Sequence, residues 1–116
     1  MGDTIHVTRG LHGCLWLFPE DEWQRLVSKL TGDSMFNSDI LELQRFFLGN
    51  AIDCRPDDAG RINIPELLRQ YAGIQKDVVT VGVGNRLEVW ALERWDAYSQ
   101  RLTDERVQEL GQRISL

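Results

Sequence analysis

The chain has 116 residues, 42% of them hydrophobic, with 13 lysines and arginines against 18 acidic residues and a formal net charge of −5. Such a length buries roughly two thirds of the unfolded surface and builds one domain, while the acidic balance argues against a surface given over to polyanions, whose binding relies on basic side chains displacing counterions. Cys14 and Cys54 lack a C-x-x-C partner, no apolar run approaches the roughly 18 residues that cross a bilayer, and the start MGDTIHVTRG is not a signal peptide. The expectation is a cytoplasmic protein with reduced thiols.

The first predicted elements are two strands flanking His12-Gly13, which reads as their turn. His12 is a turn residue in this reading rather than a ligand, and His6 is too isolated to make a site. A helix follows in PEDEWQRLVSKL, with Pro19 at its first position, acidic residues in its first turn and Lys29 near its end. Trp23, Leu26, Val27 and Leu30 recur at helical spacing and read as core, not as a cofactor box. A second helix, SDILELQRFFLG, is opened by Ser38 and stopped near Gly49, and carries Ile40, Leu43, Phe46 and Phe47 on one stripe. Next come a short strand in AIDCR, a turn through Asp57, Asp58, Ala59 and Gly60, a strand Arg61 to Ile64, and a short helix launched by Pro65 and closed at Gly73. DVVTVGV and RLEVWA then form a hairpin around Gly84-Asn85, a pair that accepts positive φ. A further helix and the polar helical tail TDERVQELGQRISL end the chain, and the tail's polarity predicts weak packing.

Sliding the sequence against itself reveals a repeat with an offset of 72 residues. Val7, Thr8, Gly10, Leu15, Trp23, Leu30 and Thr31 meet Val79, Thr80, Gly82, Leu87, Trp95, Leu102 and Thr103 without a gap. Each copy reads as strand, turn, strand, helix. The second copy owns an additional hairpin and short helix in front, whose counterpart in the first copy falls before residue 1. Six strands are therefore expected where a full twofold repeat has eight, and two strand edges are left open. Open edges recruit other chains, so self-association or strand exchange between copies is predicted.

Candidate chemistry is sparse. No Ser, Cys or Lys nucleophile is tied to a base by a recognisable spacing, Glu20, Asp21 and Glu22 suit a helix start, and GVGNR lacks the spacing of a phosphate loop. No catalytic residue, metal ligand, cofactor or small-molecule substrate is assigned, and the protein is read as not an enzyme. The basic charge is uneven: residues 19–53 hold three basic and seven acidic side chains, and residues 55–86 hold five and four. Within the latter, Arg61 begins a strand directly after a turn, where a guanidinium fork reaches a base edge or a phosphate. Asp57 is expected to accept backbone N–H bonds and pair with Arg61, and Gly60 to supply the turn's conformation. By itself this pattern equally describes a surface ion pair of small energetic weight. Arg55 and Arg86 are additional basic candidates, each also explicable as structural, and Asp58 adds charge that repels phosphate.

The stretches TRGLHGCLWLFPEDEW, LQRFFLGNAIDCRPDDAGRINIPELLRQYAGIQKDVVTVGVGNRLEVW and TDERVQELGQRISL together resemble the MraZ family of bacterial transcriptional regulators. The resemblance implies an α+β fold, a tandem of two AbrB-like halves whose hairpins interlock into a swapped-hairpin barrel. Residues 1–49 correspond to a shortened first half with a linking helix, 50–102 to a complete second half, and 103–116 to a C-terminal polar helix. It also implies a nucleoid-associated repressor. Such a regulator binds double-stranded DNA as a ring-like homo-oligomer, at short direct repeats in the promoter of the division and cell-wall gene cluster. The family's D-x-x-x-R motif occurs twice, once per half; this sequence keeps it at Asp57 to Arg61. The resemblance favours Arg61 of this motif as a DNA-contacting residue, and Arg55 and Arg86 stand beside it as further basic candidates. The competing reading is an assembly module that oligomerises without DNA.

Overall fold

The computed structural model describes residues 3–32 and 37–116. Strands β1 (Ile5–Arg9) and β2 (Leu15–Pro19) run antiparallel, with Val7 opposite Leu17. Pro19 ends β2 opposite Ile5 and stands just before helix α1 (Glu20–Thr31), one place earlier than expected. Having no N–H, it stops the ladder and releases the chain into the helix. Asn37, not Ser38, caps helix α2 (Ser38–Leu48): its Oδ1 accepts from the Asp39 and Ile40 amides at 2.8 and 3.4 Å. Asparagine supplies the acceptor one residue upstream, which moves serine into the first turn.

Strand β3 (Ile52–Cys54) pairs with the other side of β1, and helix α3 (Glu66–Ala72) closes at Gly73, whose φ of 68° is left-handed. Strands β4 (Val78–Val83) and β5 (Arg86–Ala91) form the expected hairpin, with Gly84 alone taking a positive φ in the Gly84-Asn85 loop. Helices α4 (Leu92–Ser99) and α5 (Asp104–Arg113) follow. Thr103 caps α5 by accepting from the Arg106 amide, and every residue of α5 except Leu110 and Gly111 is exposed.

Five strands form among the described residues, one fewer than expected. Residues 61–64 carry no ladder. The cause is local: Asp57 N donates to Arg61 O, but the Arg61 amide is taken by the Asp57 carboxylate, and Pro56 has no N–H to extend a hairpin. Ile62 and Ile64 instead pack on the core made by Val7, Leu15, Leu17, Leu68, Ala72 and Val89. The strands form one open antiparallel sheet in the order β3-β1-β2-β5-β4, with β3 and β4 at its edges. The described residues of one chain do not close a barrel.

The repeat becomes an approximate twofold axis. Strands β2 and β5 pair with Leu15 opposite Val89, Trp16 opposite Glu88 and Leu17 opposite Leu87. Trp16 and Glu88 are themselves 72 residues apart, so the axis passes between them. Helix starts obey the same offset, Glu20 matching Leu92. The first strands do not. Residues 10–14 make a longer turn than the expected pair, with His12 and Gly13 at φ 67° and 79° and Gly10 N bonded to Cys14 O. The additional residue slides β1 by one place. Val7 faces Leu17 whereas Thr80 faces Val89, so Val7 corresponds in space to Thr80 and not to Val79. Because a one-residue slip turns a strand over, Val7 enters the core and Thr8 points to the other face, where its Oγ1 donates to the Phe47 carbonyl.

Candidate nucleic-acid interface

The turn between β3 and α3 is built by one carboxylate. Asp57 Oδ1 accepts from the amides of Ala59 at 2.9 Å and Arg61 at 2.8 Å, and Asp57 O accepts from Gly60 N at 2.9 Å. Gly60 has φ +79°, a conformation that a Cβ would strain, and nothing lies within 4 Å of where one would be. Backbone conformation, not crowding, requires glycine there. These bonds hold the Asp57 carboxyl below the usual aspartate value, the Arg61 amide contributing most, followed by the Ala59 amide and the Arg61 guanidinium.

Asp57 Oδ2 takes Arg61 Nε at 3.0 Å. The Arg61 side chain is 80% exposed, and its two terminal nitrogens have no hydrogen-bond partner among the described residues. The carboxylate thus anchors the guanidinium by its inner nitrogen and leaves the outer pair of donors facing solvent. That outer pair matches guanine O6 and N7, or two phosphate oxygens.

The other candidates differ in kind. Arg55 is exposed and without an ion pair among the described residues. Arg86 lies inside a network on the twofold axis. Its Nη2 donates to Glu88 Oε2 at 3.0 Å, its guanidinium carbon sits 4.0 Å from the centre of the Trp16 ring, and its side chain is 24% exposed. Glu88 also accepts from Trp16 Nε1 at 3.1 Å and Trp90 Nε1 at 3.0 Å. A guanidinium held this way is a structural member of the sheet, part-buried where Arg61 is exposed.

Sequence reasoning passed over Glu88, the acceptor for all three of those donors. It also passed over two arginines that fasten helices to the first hairpin. Arg9 donates to the Phe46 carbonyl through Nε and Nη2 at 3.1 and 2.9 Å and lies 4.3 Å from the Phe46 ring centre. Arg94 Nη1 donates to the carbonyls of Gly13 and Tyr71, each at 3.0 Å. Their signal is charge at strand and helix positions otherwise read as solvated. Cys14 and Cys54 are free thiols, and the described residues contain no cluster of three or more His, Cys, Asp or Glu side chains suited to a metal. No described helix is long and apolar enough to cross a membrane.

The family profile described as "MraZ protein, putative antitoxin-like" matches residues 47–115. The chain belongs to the MraZ family. A relative named Transcriptional regulator MraZ in Natranaerobius thermophilus is 45% identical over 101 residues, spanning 87% of this chain and 71% of the relative. A protein of the same name in Symbiobacterium thermophilum is 46% identical, over 86% of this chain and 72% of its own length. Another, in Clostridium beijerinckii, is 39% identical over 96% and 82% respectively. The family match includes the Asp57 turn, α3 and the β4–β5 hairpin, so the geometry around Arg61 lies within the matched region.

Proposed function

We propose that this chain is a DNA-binding transcriptional regulator whose reading group is the outward fork of Arg61. The observation that carries the proposal is a guanidinium fixed by Asp57 through Nε, 80% exposed, with its outer donors free among the described residues. A fork held at one end loses little side-chain freedom on binding, and a bidentate base contact is worth about 1 to 3 kcal/mol of discrimination. Arg55 is the second candidate contact. Relatives named as transcriptional regulators support the same reading.

A single turn on a chain with net charge −5 binds DNA weakly, because few phosphates are neutralised. Repetition answers this: in an oligomer each subunit presents one Arg61, and tethering multiplies weak contacts at repeated sites. The open edges of β3 and β4 provide backbone groups through which copies can join, as strand-exchanged units or a ring. Swapped-hairpin barrel closure belongs to that assembly, and the promoter repeats of the division and cell-wall cluster are the proposed target.

The deciding experiment is a titration with promoter direct repeats over a range of salt, with the mass of the chain followed by light scattering. Regulation through Arg61 requires binding to the repeats that falls steeply with salt and is lost in Arg61→Ala at unchanged mass. The second reading, assembly without DNA, is favoured by the acidic side chains beside the turn, Asp58 among them. It requires that repeats and unrelated DNA behave alike while the oligomer persists.

A further inference from the structure

The segment that leaves the Asp57 turn has two different faces. Exposure alternates along residues 61–64: Arg61 and Asn63 are exposed, while Ile62 and Ile64 are half-buried against the core. None of the four has a positive φ, and Pro65 confines the residue before it to extended backbone. In an extended chain the side chains of residues i and i+2 project to one side. The two isoleucines therefore act as anchors that hold Arg61 and Asn63 facing the same way.

Asp57 sets how far Arg61 extends. Its Oδ1 accepts from the Arg61 amide at 2.8 Å and its Oδ2 from Arg61 Nε at 3.0 Å, so a single carboxylate ties the guanidinium to its own backbone. A base edge met by the outer donors of a fork tied in this way lies near the main chain of residues 61–63. That brings it within range of a short side chain. Asn63 offers one, an exposed amide that bonds no other side chain or backbone group among the described residues. Residues two apart in an extended chain are separated by about 6.6 Å, and successive bases along a DNA strand by about 3.4 Å. The two side chains thus meet base pairs no more than two steps apart.

A neutral amide displaces no counterions and gains little at a phosphate. Its paired acceptor and donor match the N6 amino group and N7 of adenine, as the donor fork of arginine matches O6 and N7 of guanine. From this we infer that Asn63 is a second specificity-determining residue of the turn, reading an adenine in the major groove within two base pairs of the guanine taken by Arg61. This role rests on the one proposed for Arg61 and adds a sequence preference to it. Arg61 supplies attraction as well as discrimination, and Asn63 supplies discrimination alone.

The test titrates the intact chain with duplexes carrying the promoter direct repeats, in which adenines are replaced one position at a time by 7-deazaadenine. That base keeps its amino group and its pairing edge but has C–H in place of the N7 acceptor. Replacement at one adenine of each repeat should weaken binding roughly three- to tenfold. Asn63→Ala should lose roughly five- to a hundredfold on the unmodified repeats, and should then be indifferent to 7-deazaadenine at that position, because both changes delete the same contact. Its non-specific binding at low salt should equal that of the native chain, since no phosphate contact is removed. If the native chain does not prefer the repeats, or Arg61→Ala leaves that preference intact, the role of Arg61 fails and that of Asn63 with it. If Arg61→Ala abolishes the preference while Asn63→Ala matches the native chain, or weakens every duplex alike, only the assignment of Asn63 is overturned.

Discussion

The β1–β2 and β4–β5 hairpins are built from matching strands and meet across a twofold axis, yet Leu15 is 0% exposed and Leu87 is 44% exposed. Nothing in either residue's own strand accounts for this. The difference lies in a third element: Leu68 and Ala72 of α3 and the isoleucines of residues 61–64 cover one hairpin, while the other borders an open groove. A repeat in sequence thus specifies strands and their pairing, and the cover decides which of two equivalent leucines becomes core.

Removing the contact that both hairpins share should have the largest effect. Glu88→Ala would leave Trp16, Trp90 and Arg86 without their common acceptor at the axis, and a loss of about 3 to 5 kcal/mol is expected in urea unfolding. Glu88→Gln, which keeps one acceptor oxygen, should recover part of it. Truncation of the matched leucines comes next. Leu15→Ala should cost about 2 to 5 kcal/mol as a cavity in a closed core, and Leu87→Ala under about 1 kcal/mol. Equal losses would show that the β4–β5 hairpin is covered in solution, and that the two hairpins do not differ in burial.

A smaller effect separates Cys14, in the covered turn, from Cys54 in the edge strand. Burial, reinforced by the nearby Glu88 charge, pushes the Cys14 thiol up to about 11. A thiol whose folded value is raised contributes stability that is complete below its unfolded value near 9 and disappears as pH rises toward 11. The midpoint of thermal unfolding should therefore decline more steeply across that interval in the native chain than in Cys14→Ala. Thiol labelling should reach Cys54 first. The smallest stability change belongs to Arg61→Ala, within about 0.5 kcal/mol, since the side chain is 80% exposed. If the fold loses much more than this, the guanidinium is holding the structure and is not free for a ligand. Titration of Asp57 by NMR offers a finer probe of the turn: its midpoint should lie below the reference value of 3.8, because the Arg61 amide and its other donors favour the charged form. Protection of the Arg61 amide is expected above that pH and lost as acid passes through the lowered midpoint.

Much of the local architecture was legible. Gly84-Asn85 announced a two-residue loop because glycine tolerates the φ of 63° found there. Helix starts after Pro19 and Pro65 followed from residues that end pairing and open a helix. The shift of β1 was hidden because a gapless match treats Gly10 and Gly82 as equivalent, whereas the turn at residues 10–14 absorbs one more residue and moves the strand. Residues 61–64 read as a strand following the turn, but Pro56 has no N–H and the Asp57 carboxylate takes the Arg61 amide, so donors that a hairpin needs are missing. Arg86 looked like a basic residue beside a loop. Its partners Trp16 and Glu88 come from another strand and from two positions along its own, and only the pairing of β2 with β5 gathers them.

By itself the sequence determined the repeat, the placing of the helices and of five of the six expected strands, and the short-range bonding set of Asp57, Gly60 and Arg61, since those depend on neighbours within a few residues. Tertiary structure decided which hairpin is buried, where the twofold axis falls, and that Arg61 faces solvent while Arg86 is part-buried against Trp16 and Glu88. Exposure is a property of what arrives from distant parts of the chain, and no local pattern of side chains encodes that arrival.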